Sequence, residues 1–169
     1  MAQATHSQAT ERYFRAVLGN IQLEAASGFL LVDFFKTKET GGMFTSIDPL
    51  FFAGFGPMVP DSPKRLLTAS ALMRTLPDHG LDAHLKEEGS YDEDLCIGHL
   101  RQMCEKGIAK GEKLWSAVDT NIVLVRDKDG LLARLTLQFI RDGWHLYRAR
   151  PDKGMANILW WWRGTRVFH

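Results

Sequence analysis

Asp33 is the first residue whose type and surroundings could do chemistry, because it lies inside the apolar run 28–35 (GFLLVDFF). A carboxyl group in such surroundings is desolvated, which raises its pKa and suits it to act as a general base. Alternatively, the side chain lies at the edge of the apolar stripe and faces water. We favour the exposed position, and Asp33 stays a candidate for lining a ligand pocket.

A second candidate group is formed by Asp92, Cys96 and His99, which fall on one face of a predicted helix at positions i, i+4 and i+7. A thiol beside an imidazole could be a nucleophile with its base, or half of a metal site. No second pair of ligands has a convincing spacing, so we favour a capping acid, a buried thiol and a surface histidine. His145 and Tyr147 share a strand face and could exchange a proton, although cross-strand packing explains them equally well.

The motifs that identify most nucleotide-binding, hydrolytic and zinc proteins are missing from the sequence. It contains no GxxxxGK[ST], no GxGxxG after a strand, no GxSxG, no HExxH and no CxxC, each of which supplies a specific phosphate, nucleophile or metal geometry. His79 and His84 lie in a polar connector, and their spacing matches no metal motif. The sequence therefore predicts no cofactor and no metal site, and it leaves room only for enzymes without a sequence signature.

Turn signals predict the elements that would position the C-terminal candidates. Asp129-Gly130 and Asp142-Gly143 are typical of two-residue hairpin turns, and 151–154 (PDKG) is a third turn signal. From residue 114 onward, apolar residues recur with a period of two. This pattern predicts four antiparallel strands, near 115–127, 131–141, 144–150 and 156–168.

Helical spacing of apolar residues predicts that helices precede this meander. Phe14, Val17, Leu18 and Ile21 form a stripe at the spacing of a helix, and similar stripes follow further along the chain. The expected class is therefore α+β, with N-terminal helices packed on a C-terminal four-stranded antiparallel meander. A single domain, 10–169, would follow a flexible tail, 1–9. The predicted helices cover about 10–36, 61–76, 81–86 and 91–107.

The segment 41–60 (GGMFTSIDPLFFAGFGPMVP) combines four Gly, three Pro and four Phe without a helical or strand period. Gly and Pro predict a loop, and the phenylalanines predict that it must be covered. It could lie on the core, with a short helix or strand inside it. The alternatives are a lid over a pocket, with Phe52 and Phe55 as lining residues, or a hydrophobic partner surface that includes Phe51.

The register of the second hairpin places two arginines on the apolar face of the meander. If the turn 142–143 has two residues, Arg148 lies opposite Leu137 and Arg150 lies opposite Leu135. A bulge, a rim position or an extended side chain could turn both guanidinium groups towards water. Otherwise the covered face opens into a cavity, where the two arginines would meet an acid or an anionic ligand.

The stretch 121–152 (NIVLVRDKDGLLARLTLQFIRDGWHLYRARPD) resembles the NTF2-like superfamily, whose members have a cystatin-like α+β fold. Its tail, FIRDGWHLYRARPD, is similar to the strand, Asp-Gly turn and Trp-containing strand common in that superfamily. The resemblance implies a curved sheet with a pocket between the helices and its concave face. The superfamily includes small isomerases, dehydratases, binding modules and transport components, so the fold alone implies no activity. The candidate lining residues of such a pocket are Asp33, Phe52, Phe55, Tyr147, Arg148 and Arg150.

Three consecutive tryptophans in 158–162 (ILWWW) form a second concentration of aromatic residues. A strand with aromatic side chains on both faces is either packed inside the protein or lies at an edge that meets a partner. The sequence does not decide between two roles for this strand. It could contact a second copy of the chain or another protein, or it could pack inside the protein. Because Trp and Arg dominate interface hot spots, the candidates for such a contact, together with Phe51, are Trp160, Trp161, Trp162 and Arg163.

Composition sets the broad class of protein. The chain has 169 residues, 45% of them hydrophobic, with 21 basic and 20 acidic side chains, which indicates a globular domain and argues against nucleic acid or an anionic membrane as a partner. No apolar run approaches the roughly 20 residues of a membrane span, and no signal peptide is visible. Cys96 and Cys104 would lie about 12 Å apart along one predicted helix. That is too far for a disulfide, which favours reduced thiols and a cytoplasmic location.

These observations lead to two hypotheses about function. The first is a non-enzymatic cytoplasmic binding or accessory protein, a homodimer or part of a larger complex, that acts through its aromatic surfaces. The alternative is a small cofactor-independent enzyme or ligand-binding protein of the NTF2-like type, which would take a small apolar or anionic ligand between helices and sheet.

Overall fold

A seven-stranded sheet is the main element of the computed structural model, which describes residues 12–87, 95–149 and 160–169. The strands in these ranges are β1 (Phe14–Leu23), β2 (Phe29–Leu30), β3 (Phe44–Ile47), β4 (Met58–Val59), β5 (Arg65–Leu72), β6 (Leu76–Pro77), β7 (Asn121–Arg126), β8 (Leu132–Ile140), β9 (Gly143–Ala149), β10 (Trp160–Trp161) and β11 (Arg166–Phe168). The helices there are short: α1 (Leu31–Phe34), α2 (Pro49–Phe55), α3 (Asp78–Glu87) and α4 (Ile97–Cys104), with a 3-10 turn at Lys38–Thr40 and a π-helical turn at Glu105–Ala109.

The order of the strands across the large sheet is β1-β5-β11-β7-β8-β9-β3. The pairs β11–β7 and β9–β3 are parallel, and the other neighbours are antiparallel. Two small ladders, β6–β10 and β2–β4, lie outside it. The expected architecture, N-terminal helices on a four-stranded antiparallel meander with a cystatin-like curved sheet, is therefore wrong. Of that meander, β7, β8 and β9 are neighbours, but β11 inserts between β5 and β7 instead of following β9.

The first part of the segment predicted as one helix, 10–36, is the edge strand β1, and its later part forms β2 and the short helix α1. The pairing of β1 with β5 shifts register twice, between Ala16 and Leu18 and between Leu18 and Ile21. Each extra residue lengthens the two-residue repeat of a strand, so an irregular strand reproduces the apolar spacing of a helix. Asn20, which lies in the second irregularity, has a φ of 55°, a left-handed conformation that asparagine tolerates better than most residues.

The second predicted helix, 61–76, is instead the strand β5, which has β1 on one side and β11 on the other. Its buried residues include Leu67, Ala69 and Leu72, while Leu66 is 61% exposed. A strand covered by protein on both faces shows a nearly continuous apolar run, which periodicity alone does not separate from a helix. The later helices α3 and α4 overlap the positions predicted for them.

Apolar side chains fill both faces of the sheet. The larger core includes Val123 and Leu135 and is covered by residues of α1, α2 and α4. The smaller core includes Ile122 and Leu124 and is covered by α3 together with Trp161. Consecutive residues of β7 therefore point into opposite cores, as successive side chains of a strand must.

The first hairpin differs by one residue from its predicted register. Val123 lies opposite Leu135, in place of the expected Leu124, because the connecting loop is longer than two residues. The carboxylate of Asp127 holds this loop by accepting two backbone N–H bonds, each 2.9 Å long. Gly130 has a φ of 76°, a conformation that favours glycine.

The second hairpin pairs Ile140 with Gly143. Its two-residue turn is therefore 141–142 instead of the expected 142–143. Because the sum of paired positions changes by two, every residue of β9 keeps the face predicted for it. Arg148 accordingly lies on the apolar face of the sheet.

Candidate functional site

A groove lined by arginines lies at the edge of the sheet, where the beginning of β1 meets the end of β5. It is open to solvent, and its volume is about 490 Å³. No acidic side chain lines it in the part of the chain that the structure describes. The lining residues, which we call the arginine groove, carry four positive charges and are otherwise apolar: Arg12, Phe14, Arg15, Ala16, Met73, Arg74 and Arg163.

Three separate segments bring these arginines together. Arg15 lies on β1, and the N–H of Met73 donates to the carbonyl oxygen of Tyr13, so that the β1–β5 pairing continues into the groove. Arg163 lies in the turn between β10 and β11. This turn is fixed to the sheet because the N–H of Gly164 donates to the last carbonyl of β5 at 2.9 Å.

The turn that carries Arg163 requires glycine at position 164. Gly164 has a φ of 95°, a region that other residues rarely adopt. A Cβ atom at this position would also lie 2.8 Å from Oδ1 of Asp119. The local sequence therefore fixes the turn in one conformation, which holds Trp162 and Arg163 beside the end of β5.

Three of the four arginines in the groove form no ion pair with an acid among the described residues. Arg12, Arg15 and Arg163 are exposed and make no ion pair there. Arg74 lies over the ring of Tyr13, with 5.6 Å between its guanidinium carbon and the ring centroid. Clustered cations repel one another, and a bound oxyanion would relieve that repulsion while accepting paired hydrogen bonds. The groove is therefore a candidate site for an anion.

The tryptophans that the sequence proposed as an interface divide into buried and exposed residues. Trp161 is 8% exposed, and its indole N–H donates to Oδ1 of Asp78 at 2.7 Å, so it packs inside the protein. Trp162 is 70% exposed and precedes Arg163 of the groove. The side chain of Trp160 lies outside the described residues.

The phenylalanines of segment 41–60 lie mainly in the larger core. Phe51 is fully buried and Phe55 is 8% exposed. Phe51 contacts both Phe55 and the half-buried Phe52. The segment contains β3, α2 and β4. The carboxylate of Asp48 begins α2 by accepting the N–H of Leu50 at 3.0 Å, a usual cap for a helix.

Arg148 forms an ion pair with a buried acid. Its Nη2 lies 2.7 Å from Oδ2 of Asp127, whose side chain is 3% exposed. The guanidinium carbon also lies 5.5 Å from the ring centroid of Phe55. Burial raises the pKa of Asp127, but two backbone N–H bonds and Arg148 outweigh it and hold that pKa below its usual value. The sequence left an acid or an anionic ligand open as the partner of Arg148, and the structure supplies the acid.

The remaining candidates for an internal pocket do not converge on this ion pair. Asp33 is exposed on α1, and no hydrogen bond or ion pair among the described residues joins it to Arg148. Tyr147 stacks on His145, with ring centroids 6.0 Å apart. The Nδ1 atom of His145 is hydrogen-bonded to a serine hydroxyl on β3 at 2.7 Å. Arg150 lies outside the described residues.

Cys96 and His99 are in contact at the beginning of α4. The Sγ atom of Cys96 lies 3.3 Å from Nδ1 of His99, and Nε2 of His99 donates to the carbonyl oxygen of Pro63 at 2.8 Å. His99 is 2% exposed, where the sequence favoured a surface position. Asp92, the third member of the predicted group, lies outside the described residues. No set of three Cys, His, Asp or Glu residues is placed to hold a metal ion within the described ranges.

No protein family, curated protein or solved structure matches the chain. Membership of the NTF2-like superfamily therefore stays a prediction. Across the described ranges, no helix combines the length and the apolar character that a membrane span requires. The function is therefore inferred from the geometry of the chain's own residues.

The sequence singled out Arg163 but missed Arg12, Arg15 and Arg74 as members of one site. These residues are far apart in the chain, and the strand pairing that joins them was predicted as two helices. A local signal does exist, since Arg15 and Arg74 stand at the ends of the apolar segments that form β1 and β5. If the pairing of β1 with β5 had been predicted, the placement of Arg15 and Arg74 would have indicated a basic edge of the sheet.

Proposed function

We propose that the protein is a non-enzymatic binding protein whose ligand is a small molecule carrying phosphate groups, bound in the arginine groove. The observation that carries this proposal is that Arg12, Arg15, Arg74 and Arg163 line one open groove that no described acid lines. The proposal keeps the binding role inferred from the sequence and replaces an aromatic partner surface with a cationic groove. The two free cysteines fit a reducing compartment, so the proposed location is the cytoplasm.

The kind and number of cations favour phosphate as the anion. A guanidinium group offers two parallel N–H donors that match two oxygens of a phosphate, and it stays charged at every physiological pH. Four such groups around about 490 Å³ are enough to accept more than one phosphate group. Ala16 and Met73 supply apolar contacts for the remainder of the ligand.

A nucleic acid is the larger alternative for the same chemistry. The exposed ring of Trp162 beside Arg163 could stack on a base. However, four arginines form a small footprint, and the chain has a formal net charge of only +1, whereas nucleic-acid binding usually relies on an extended basic surface. A small ligand is therefore the better match, and oligonucleotide binding is the competing outcome of the test.

Calorimetric titration with inorganic pyrophosphate at low salt tests the proposal. Charge-assisted hydrogen bonds to two phosphate groups should contribute about 5 kcal/mol in total, which corresponds to a dissociation constant on the order of 0.2 mM. Arg163→Gln should weaken binding about tenfold, because one such bond is worth roughly 1.4 kcal/mol. The triple variant Arg12→Gln, Arg15→Gln, Arg163→Gln should not bind measurably, and its exposed positions should leave folding intact.

Lys110→Gln is the matched control, since it removes one exposed positive charge that does not line the groove. Its affinity for pyrophosphate should equal that of the unmodified protein. Failure of the unmodified protein to bind pyrophosphate, or equal binding by the triple variant, would contradict the proposal. A short oligo-dT strand that binds more tightly than pyrophosphate, and loses affinity in the same variants, would replace the small ligand with a nucleic acid.

A further inference from the structure

A second group of reactive side chains lies at the N-terminal end of α4 and shares no residue with the arginine groove. Cys96 is the residue that precedes the helix, and its thiol is partly exposed. Its Sγ atom lies 3.3 Å from Nδ1 of His99. A nucleophile in contact with a base that a third group orients is the usual arrangement of an activated thiol.

The hydrogen bonds of His99 determine which of its nitrogens can take a proton from the thiol. The carbonyl oxygen of Pro63 can only accept, so Nε2 of His99, at 2.8 Å, carries a proton. Nδ1 is then the basic nitrogen, and it faces both the thiol and the backbone N–H of Cys96. Proton transfer from sulfur to Nδ1 would leave a thiolate beside an imidazolium.

The surroundings of the sulfur stabilise that charge. Burial raises the pKa of the Cys96 thiol. Hydrogen bonds from His99 and from the backbone N–H of Gly98, together with the charge of the imidazolium, lower it by more. The pKa of Cys96 therefore lies below that of an ordinary thiol. Burial alone lowers the pKa of His99, and its contact with Cys96 raises it above the ordinary value. The beginning of a helix adds a partial positive charge in the same direction.

A buried hydroxyl group without a hydrogen-bond partner lies near the thiol of Cys96. Ser62 is 4% exposed, and its Oγ has no hydrogen-bond partner among the described residues. A Cβ atom built on Gly98 would lie 2.7 Å from this Oγ and 3.7 Å from Sγ of Cys96. Such a Cβ atom would overlap Ser62, so Ser62 packs directly against Gly98, and its hydroxyl lies on the same side of this glycine as the thiol. Because a buried hydroxyl without a partner is costly, a small polar ligand at the thiol that accepted a hydrogen bond from Ser62 would be stabilised.

We propose that Cys96 is a peroxide-reactive thiol, with His99 as its base and Ser62 as the donor that holds the peroxide oxygen. The thiolate sulfur attacks one oxygen of hydrogen peroxide, an S–O bond forms, and the O–O bond breaks. Sulfur loses two electrons and becomes a sulfenic acid, while the peroxide is reduced. The leaving hydroxide takes the proton held on Nδ1 of His99 and departs as water, so that one thiol and one peroxide give one sulfenic acid and one water.

Cys104 provides an internal control in the same molecule. It is fully buried in the larger core, where desolvation raises the pKa of its thiol and keeps it unreactive. Trypsin cuts after Lys86, Arg101 and Lys106, which separates the two cysteines into the peptides 87–101 and 102–106. Labelling of each thiol can therefore be measured in one digest.

The folded protein is treated with hydrogen peroxide and the sulfenic-acid trap dimedone, and in parallel with iodoacetamide across a pH series. Cys96 should be trapped at least about tenfold faster than Cys104, and its alkylation midpoint should lie below the roughly 8.5 of an ordinary thiol. In the urea-unfolded chain the two cysteines should be alkylated at similar rates, which shows that the difference belongs to the fold. Absence of trapped Cys96, or an ordinary midpoint, would overturn the proposal.

Two variants separate the roles of the neighbours. His99→Asn should raise the alkylation midpoint of Cys96 and slow both reactions about tenfold at pH 7. Ser62→Ala should slow the reaction with peroxide while leaving alkylation unchanged, because only peroxide uses the hydroxyl donor. Equal rates in Ser62→Ala and the unmodified protein would overturn the role of Ser62, and an unchanged midpoint in His99→Asn would overturn that of the base.

Discussion

Replacing Arg148 with methionine should test the ion pair that connects β9 to the first hairpin. Arg148 Nη2 and Asp127 Oδ2 are 2.7 Å apart, with 23% and 3% of the two side chains exposed. Methionine retains an unbranched apolar side chain, but it removes the cation, whose guanidinium carbon lies 5.5 Å from the ring centroid of Phe55. Asp127 would then be a nearly buried carboxylate without its charged partner.

The expected loss of unfolding free energy follows from what remains around Asp127. Breaking a buried ion pair by removing one partner costs about 3–5 kcal/mol. Two backbone N–H bonds of 2.9 Å still hold the carboxylate in the variant, and partial exposure at Arg148 admits water. We therefore expect a loss at or just below the lower bound of that range, about 2–3 kcal/mol at pH 7.

The loss should depend on pH because the carboxylate can become neutral. The pKa of Asp127 is lowered in the folded protein, so its charge contributes stability above the unfolded pKa of about 3.9, and this contribution disappears as the pH falls through the folded pKa. Without Arg148 that pKa rises, and protonation relieves the unpaired charge. The difference in stability between Arg148→Met and the unmodified protein should therefore shrink as the pH falls from 7 to about 4.

Urea unfolding at both pH values, followed by tryptophan fluorescence, measures the effect. The matched control is Lys128→Met, which breaks an ion pair between Lys128 and Asp129 whose side chains are 48% and 61% exposed. This control should lose less than about 0.5 kcal/mol. A loss below about 1 kcal/mol for Arg148→Met at pH 7, or a loss of the same size at both pH values, would refute the reasoning.

Two further predictions concern buried polar contacts. Asn121→Ala should lower the free energy of unfolding by about 3 kcal/mol, because the fully buried amide binds both backbone groups of Ser116 at 2.8 Å; a urea-measured loss below about 1 kcal/mol would contradict this. Trp161→Phe should cost about 1–3 kcal/mol through the lost bond to Asp78, whereas Trp162→Ala, at an exposed position, should change stability by less than about 0.5 kcal/mol. Thermal unfolding of the two tryptophan variants side by side measures both losses. Equal losses would show that Trp161 is not the buried and Trp162 not the exposed residue of the pair.

Local turn chemistry was enough to predict the three neighbouring strands β7, β8 and β9. Asp129-Gly130 and Asp142-Gly143 lie at or beside the turns, because turn residues act through their immediate neighbours in the chain. The length of the first turn was not predicted correctly. The side chain of Asp127 organises the first loop by bonding two backbone groups, and the two-residue interpretation of the turn did not include it.

The sequence pattern gave no sign that the predicted register of β7 was wrong. A slip of one residue normally moves polar side chains into the core and is therefore recognisable. In β7 the alternate sets are Ile122 with Leu124 and Val123 with Val125, and all four are buried. Because both faces of the sheet are covered, the apolar pattern accepts either register.

The pairings of β1 and β11 depend on contacts that sequence periodicity does not represent. β1 is interrupted by two register shifts, and β11, Arg166–Phe168, is too short to carry a pattern. Its partners are β5 and β7, both far away in the chain. The arginine groove depends on these pairings, and the contact between Cys96 and His99 depends only on one helical turn. This difference explains why the second group could be recognised from spacing and the first could not.

The near-neutral charge of the chain does not describe what a ligand meets at the groove. With 21 basic and 20 acidic residues, the sequence argued against anionic partners as a bulk property. Electrostatic interactions in water are screened over about 10 Å at 0.1 M salt, so an anion in the groove responds to the nearby guanidinium groups far more than to distant carboxylates. Net charge therefore bears on long-range attraction, while local clustering determines binding. Affinity for pyrophosphate should accordingly fall with rising salt even though the whole protein is almost neutral.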